Sequence, residues 1–157
     1  MPISEKNLAG ARQAWGNGLI EISDVFETEG IQKAHSLASK LVDHLYGFDF
    51  GPILFKPTLS GGSQTFRKDK DGTLSYFVGQ NPKYPQDTGF GLKYWREVQF
   101  DTANVFIEET VAMWMGWVTF TDKNGSVTKV DKSWGYKLDA SGNLKIVLHH
   151  SSLPYDG

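Results

Sequence analysis

Leu144-Lys145-Ile146-Val147-Leu148-His149-His150-Ser151-Ser152-Leu153-Pro154 decides how the rest of the chain is read. Its first five residues are aliphatic or β-branched around one lysine, a composition suited to a strand inside a sheet. Four polar residues follow, and a proline, which cannot extend a ladder, closes the run. A strand that is apolar along its length and polar at its tip carries imidazoles and hydroxyls to one end of a sheet. Neighbours on a strand leave on opposite faces, so Ser151 is expected to share a face with His149 and Val147 while His150 points away. Chemistry is expected at that tip, with the upstream chain as its container.

Upstream of the tip the sequence reads as hairpin-connected strands. Residues 96–107 and 111–121 are predicted strands joined by Glu108-Glu109-Thr110, and 127–138 follows the Asn124-Gly125 turn. Residues 53–59 form the first predicted strand. Residues 64–67 and 74–78 read as a hairpin across Lys70-Asp71-Gly72, and 81–92, with its prolines and glycines, reads as a loop. Two helices come before all of these. Ser4 is a good N-cap with Ile3 and Leu8 as an apolar clasp around it, and Leu8, Ala11, Trp15, Leu19, Ile22 and Phe26 recur at helical spacing. Gly16 and Gly18 weaken that helix and are expected to admit another backbone. Ala34, Ala38, Leu41 and Leu45 mark the second helix. Helices segregated from hairpin strands predict an α+β fold, with N-terminal helices packed on a mostly antiparallel sheet. In 111–118 both alternating sets are apolar: Val111, Met113, Met115 and Trp117 on one side, Ala112, Trp114, Gly116 and Val118 on the other. Such a strand needs a second cover, and a homodimer packed through the sheet face is the simplest one.

Composition sets the outer bounds. At 157 residues a single domain over 1–157 with one substantial core is expected. A net charge of −2 with no basic stripe gives no reason to expect nucleic acid. There is no cysteine, which removes disulfides, thiolate nucleophiles and Cys-based zinc sites. No run approaches membrane-spanning length and the first residues lack a signal-peptide core, so a soluble chain is expected, equally compatible with one unit of a longer, targeted precursor. The histidines, four in all, do not assemble a zinc site on paper. His149 and His150 diverge from one strand, and His35 and His44 do not stack on their helix. No tightly held zinc is therefore expected and metal-free chemistry is favoured, with an oxygen-ligand site from carboxylates left open but without a motif.

Phe55-Lys56-Pro57-Thr58-Leu59, Ser75-Tyr76-Phe77-Val78-Gly79, Asp87-Thr88-Gly89-Phe90 and His149-His150-Ser151-Ser152-Leu153-Pro154 stand in this order across nearly the whole chain. Together they resemble the iota class of carbonic anhydrases, within the cone-shaped nuclear transport factor 2-like superfamily that also holds ketosteroid isomerases, polyketide cyclases and a calmodulin-dependent kinase association domain. The resemblance implies reversible hydration of carbon dioxide to bicarbonate and a proton, without metal. It implies catalytic roles for Thr58, Tyr76 and Ser151. A diatom branch of the class has been linked to manganese, and some members string several such domains together in a plastid protein, which makes a chloroplast location compatible.

Strand parity, taken alone, sets Thr58 with Lys56 and Leu54, and Tyr76 with Leu74 and Val78, each hydroxyl among apolar neighbours. A dry pocket with a few converging donors suits a small nonpolar substrate. The expected division of labour has Thr58 and Tyr76 positioning water and Ser151 donating to the substrate oxygen. A relay to solvent, a perturbed Tyr76, or His149 acting as shuttle remain open as the route for the proton. Trp95 and Trp134, beside glycine-rich turns, are candidates for the pocket mouth, whereas Lys56, Lys132 and Asp101 read as solvated. The plain readings stand beside these: a threonine after proline is usually a turn residue, and a strand tyrosine is usually half-buried core. Two other functions fit the fold. Isomerase or cyclase chemistry on a ring-shaped ligand wants a buried carboxylate base, and Asp101, Glu108 and Asp131 sit in exposed-looking contexts. A non-catalytic oligomerisation or ligand-binding module needs no base at all.

Overall fold

The Ser4 hydroxyl accepts the Asn7 amide at 3.1 Å and the Asn7 side chain returns to the Ser4 amide, a reciprocal cap that starts α1 (Glu5–Glu29). Ile3 and Leu8, either side of the cap, are both buried. Trp15, Leu19 and Ile22 continue the stripe into the core. Each such aliphatic side chain contributes roughly 1.5–3 kcal/mol of burial, which is why the stripe and not local propensity holds the helix. Gly16 and Gly18 serve a different purpose from the one expected. A Cβ on Gly16 would lie 3.2 Å from the Phe100 ring, and one on Gly18 would lie 3.3 Å from Leu41. They admit side chains from the sheet and the next helix, not another backbone. Gly30, at φ 92°, turns the chain into α2 (Ile31–Leu45), which buries Ala34, Ala38 and Val42.

The computed structural model describes residues 2–157. After a 3-10 turn at Phe48–Phe50 comes β1 (Leu54–Lys56), shorter than the predicted 53–59 because Pro57 donates no hydrogen bond and the chain turns at Thr58 and Leu59. The predicted hairpin is absent. Residues 70–78 form α3 (Lys70–Val78), begun by the Asp69 side chain accepting the Gly72 amide at 2.8 Å. Lys70-Asp71-Gly72 is thus a helix start and not a strand turn, and Tyr76 is a helical residue. The loop that follows includes a 3-10 turn at Phe90–Leu92.

Four long or medium strands complete the chain: β2 (Trp95–Ile107), β3 (Val111–Asp122), β4 (Val127–Leu138) and β5 (Leu144–Ser152). With β1 they form one sheet of order β1-β5-β4-β3-β2. Only the β1–β5 pair is parallel; the other three are antiparallel. Register shifts at Thr102/Asn104 and Gly135/Tyr136 bend the sheet around the helices. The expected α+β arrangement of N-terminal helices on a mostly antiparallel sheet is the one observed.

Burial alternates along β3: Ala112, Trp114, Val118 and Phe120 face the helices, while Met113 and Met115 remain 42% and 58% exposed on the outer face. The inner face is filled by aromatic rings, with Trp15 wedged against Trp134 at 5.1 Å and Phe120 at 6.0 Å between centroids. Among the described residues no helix is long and apolar enough to cross a membrane.

Candidate active site

β5 lies between β1 and β4, and its polar tip meets both. Phe55 and Lys56 of β1 stand beside His149 and His150, while Lys132 of β4 stands opposite Ser151. The turn after Lys56 breaks strand alternation. Leu54 is 67% exposed, whereas Thr58, expected on the same face, is turned inward and buried. Its Oγ1 sits 2.5 Å from Ser151 Oγ, a hydrogen bond in which either hydroxyl can donate. Tyr76 arrives from α3, buried, with its phenol oxygen accepting the Leu59 amide at 3.3 Å. Thr58, Tyr76 and Ser151 are therefore gathered at one place, from a turn, a helix and a strand end. Burial pushes the Tyr76 phenol up to about 12, against smaller downward pulls from the Leu59 amide and the Thr58 hydroxyl. It is a proton donor at neutral pH and not a base.

His149 and His150 diverge as strand parity requires: the first is buried, the second exposed. His149 stacks on Phe55 with ring centroids 4.5 Å apart. Its Nδ1 lies 2.9 Å from the Tyr46 hydroxyl and its Nε2 lies 2.9 Å from Lys132 Nζ. Tyr46 in turn accepts from Trp15 Nε1 at 3.1 Å. Burial, and then the charge of Lys132, hold His149 well below the usual imidazole range.

Lys132 overturns the expectation of a solvated side chain: it is only 3% exposed. Burial, and then the nearby charge of Lys56, bring its ammonium down to about 7, with Asp131 opposing. The sequence did carry a signal for this. Val130, Lys132, Trp134 and Tyr136 share one parity on β4, and the other three are inward-facing core residues. Lys56 is half-buried rather than freely solvated and donates to the Ser151 carbonyl at 2.7 Å. Asp101 is exposed, as expected. Trp134 does not line a mouth; it is wholly buried, 5.1 Å from the His149 ring. Trp95 is buried too, its indole donating to the Phe90 carbonyl at 2.7 Å. The opening beside Tyr76 is a cleft of about 70 Å³ bounded by Leu59, Thr88, Phe90 and Lys93.

A buried ion pair holds α3 in place. Arg67 donates to Asp87 through two nitrogens at 2.7 and 2.8 Å, and Ser75, one residue before Tyr76, donates to the same carboxylate at 2.6 Å. Sequence reading put Arg67 at the end of one arm of the predicted hairpin, and no periodicity marked it as buried.

The donor set around the hydroxyls does not suit manganese or zinc. Both nitrogens of His149 are engaged, Lys132 and Lys56 are cationic or hydrogen-bonded, and the nearby Asp87 is committed to Arg67 and Ser75. Among the described residues no three His, Asp or Glu side chains are grouped to hold a metal ion.

Residues 6–153 match the model of the metal-independent carbonic anhydrase family, and the chain belongs to that family. It is 46% identical over 154 residues to a metal-independent carbonic anhydrase of Nostoc sp. (strain PCC 7120), covering 98% of this chain and 75% of that protein. The crystal structure of an iota-carbonic anhydrase from a cyanobacterium, complexed with bicarbonate, superposes with a TM-score of 0.98 at 45% identity, over 99% of this chain and 95% of that one. A putative calcium/calmodulin-dependent protein kinase II association domain from Xanthomonas campestris shares the fold, with a TM-score of 0.64 at 21% identity, over 99% of this chain and 91% of that one.

Proposed function

We propose that this chain hydrates carbon dioxide reversibly to bicarbonate and a proton, without a metal, at the cluster of Thr58, Tyr76 and Ser151. The carrying observation is the Thr58–Ser151 hydrogen bond, closed between residues 93 apart in sequence at a dry sheet end. A small open cleft of about 70 Å³ borders the Tyr76 member of the cluster, lined also by Leu59, Thr88 and Phe90. The candidate bases argue against the cyclase or isomerase alternative, since Asp101 and Glu108 are exposed and Asp131 is only half-buried.

The environment of each hydroxyl refines its role. Ser151 is fully buried and hydrogen-bonded to Thr58, so it is poorly placed to reach a substrate oxygen directly. Tyr76 borders the cleft, and because its oxygen already accepts from Leu59 its hydrogen is free to be given. Tyr76 donates to the substrate oxygen as negative charge develops there. Thr58 holds the attacking water, and Ser151 backs Thr58 as the next hydroxyl in line. Zinc enzymes lower the pKa of water from 15.7 to about 7; here the work falls to positioning, a dry surround and a nearby base.

The test is stopped-flow hydration of carbon dioxide on chelator-treated protein, repeated for Thr58→Ala, Tyr76→Phe and Ser151→Ala. All three should be strongly impaired while remaining folded. Full activity in any two would end the assignment. We propose further that two copies pair through the outer sheet face, where Met113, Met115 and Phe106 are exposed together on neighbouring strands. Sedimentation of wild-type protein beside Met115→Glu checks it.

A further inference from the structure

Ser151 is gripped at two points, by its hydroxyl and by its carbonyl. The hydroxyl meets Thr58 Oγ1 at 2.5 Å, and the carbonyl accepts from Lys56 Nζ at 2.7 Å. The ladder explains why a side chain serves that carbonyl. Phe55 gives its own carbonyl to the Arg67 amide at 2.8 Å, on the side away from β5, so the backbone groups of Leu54 and Lys56 are the ones turned toward β5. The next residue in that alternation is Thr58. Pro57 has no N–H and the chain turns at Thr58, so β1 ends opposite His150 and never reaches Ser151. Ser151 is buried, and a buried carbonyl without a donor is costly. The Lys56 side chain stands in for the missing rung.

We propose that Lys56 is a positioning residue for carbon dioxide hydration: by holding the Ser151 carbonyl it sets Ser151 Oγ against Thr58 Oγ1. The inference rests on the hydration reading above and adds the residue that keeps two of its hydroxyls in contact. Only Pro57 separates Lys56 from Thr58, and its ring fixes φ near about −65°. Both grips on Ser151 therefore come from one short, stiff arm. Ser151 in turn backs the hydroxyl that holds the attacking water, and a displacement of about 1 Å in such a constellation can cost about 100-fold in rate. Lys56 touches neither water nor carbon dioxide in this role; it acts through Ser151 and Thr58.

The other lysine beside Ser151 cannot take this part. Lys132 stands opposite Ser151 on β4, but its Nζ is engaged with His149 Nε2 at 2.9 Å. Lys56 is also suited to the task by its setting. It is half-buried, so the ammonium hydrogens not given to Ser151 have water to donate to. Burial lowers its ammonium from the ordinary lysine value, and Asp131 on β4, opposite Ser152, favours the charged form. A hydrogen bond from a charged donor is stronger than one from a backbone amide, which suits a strand end that has lost its ladder.

Kinetics and one crystal structure test this. Lys56→Met keeps an apolar stem and removes the donor. Its kcat for hydration should fall about 10–100-fold with KM for carbon dioxide unchanged, and Lys56→Arg, which can still donate to a carbonyl, should recover most of the loss. On a Ser151→Ala background the same Lys56→Met change should cost less than about twofold, because the hydroxyl it positions is gone. A merely structural role would cost the same factor on either background. The crystal structure of Lys56→Met should show the Ser151 and Thr58 oxygens out of hydrogen-bond reach. Should Lys56→Met not fold, Lys56→Gln, too short to reach the carbonyl, replaces it in each arm. A folded variant with wild-type kcat overturns the proposal, as do equal losses on the two backgrounds or hydroxyls still in contact in the variant crystal. Wild-type protein without any hydration activity would remove the function and this role with it. Active wild type beside an unaffected Lys56→Met would leave the function standing and sink the role alone.

Discussion

Asp87→Ala strands a buried cation. The Arg67 and Asp87 side chains are 2% and 4% exposed, and the carboxylate takes both guanidinium contacts as well as the Ser75 hydroxyl. Removing one member of such a pair typically costs about 3–5 kcal/mol, because the other charge stays buried. Arg67 keeps two carbonyl partners, Gln64 at 2.9 Å and Gly72 at 2.9 Å, which favours the lower end. The Ser75 hydroxyl, buried and losing its acceptor, adds about 1 kcal/mol. A total near 4 kcal/mol, at roughly 2–4 °C per kcal/mol for a domain of this size, lowers Tm by about 8–16 °C. Calorimetry together with urea unfolding measures it, with the midpoint shifting and m unchanged. Activity should fall below the Tm effect, since α3 carries Tyr76. Replacing both partners by apolar residues, as in Arg67→Met with Asp87→Leu, should recover most of the stability, because the desolvation penalty goes with the pair. A Tm within 2 °C of wild type for Asp87→Ala would mean that this ion pair is not what fixes α3.

Ser151→Ala should lower kcat for hydration by about 100-fold or more, with a Tm loss small enough to leave a folded enzyme for the assay. Stability should climb between about pH 7 and 10, because the unfolded chain binds the Lys132 proton that the folded chain has released, so it holds more protons across that window. Past pH 10 it should drop, since unfolded tyrosines ionise while burial keeps Tyr76 protonated up to about 12; urea midpoints at several pH values follow both limbs. Gly116→Ala should destabilise strongly, since a Cβ there would collide with the Asp101 carbonyl and come within 2.8 Å of the Trp114 ring, and thermal melts report it. Met115→Glu should leave Tm within a few degrees while abolishing any self-association seen by sedimentation.

Periodicity made the long elements legible. The stripe of α1 and the alternation on β3 and along most of β4 each present one face to the core, and that is the pattern a sequence displays. α3 hid because it has no polar face to display: Gly72, Thr73, Ser75, Tyr76, Phe77 and Val78 are all buried, so the helical period vanishes and a β-rich composition remains. Only Asp69 three residues before Gly72 marked the cap. Ser151, Thr58 and Tyr76 came from the family resemblance, and parity alone misdirected Thr58. Lys132 was readable from its partners on β4, but a lysine's usual preference for water outweighed them. Tyr46 and Asp87 depend on contacts made from far along the chain, His149 and Arg67 respectively, which no local pattern encodes.

The strand made last occupies an inner position. Because β5 is inserted between β1 and β4, a growing polypeptide that has finished β4 still has two open ladders and nothing to close them. The parallel β1–β5 pairing spans nearly 100 residues, Leu54 with Leu148, so that closure carries a large entropic barrier and is expected late. A polypeptide cut before residue 144 would lack not merely a serine and a histidine but the seam that joins the two edges. It would be sticky rather than merely inactive, because β1 and β4 would each keep an open edge.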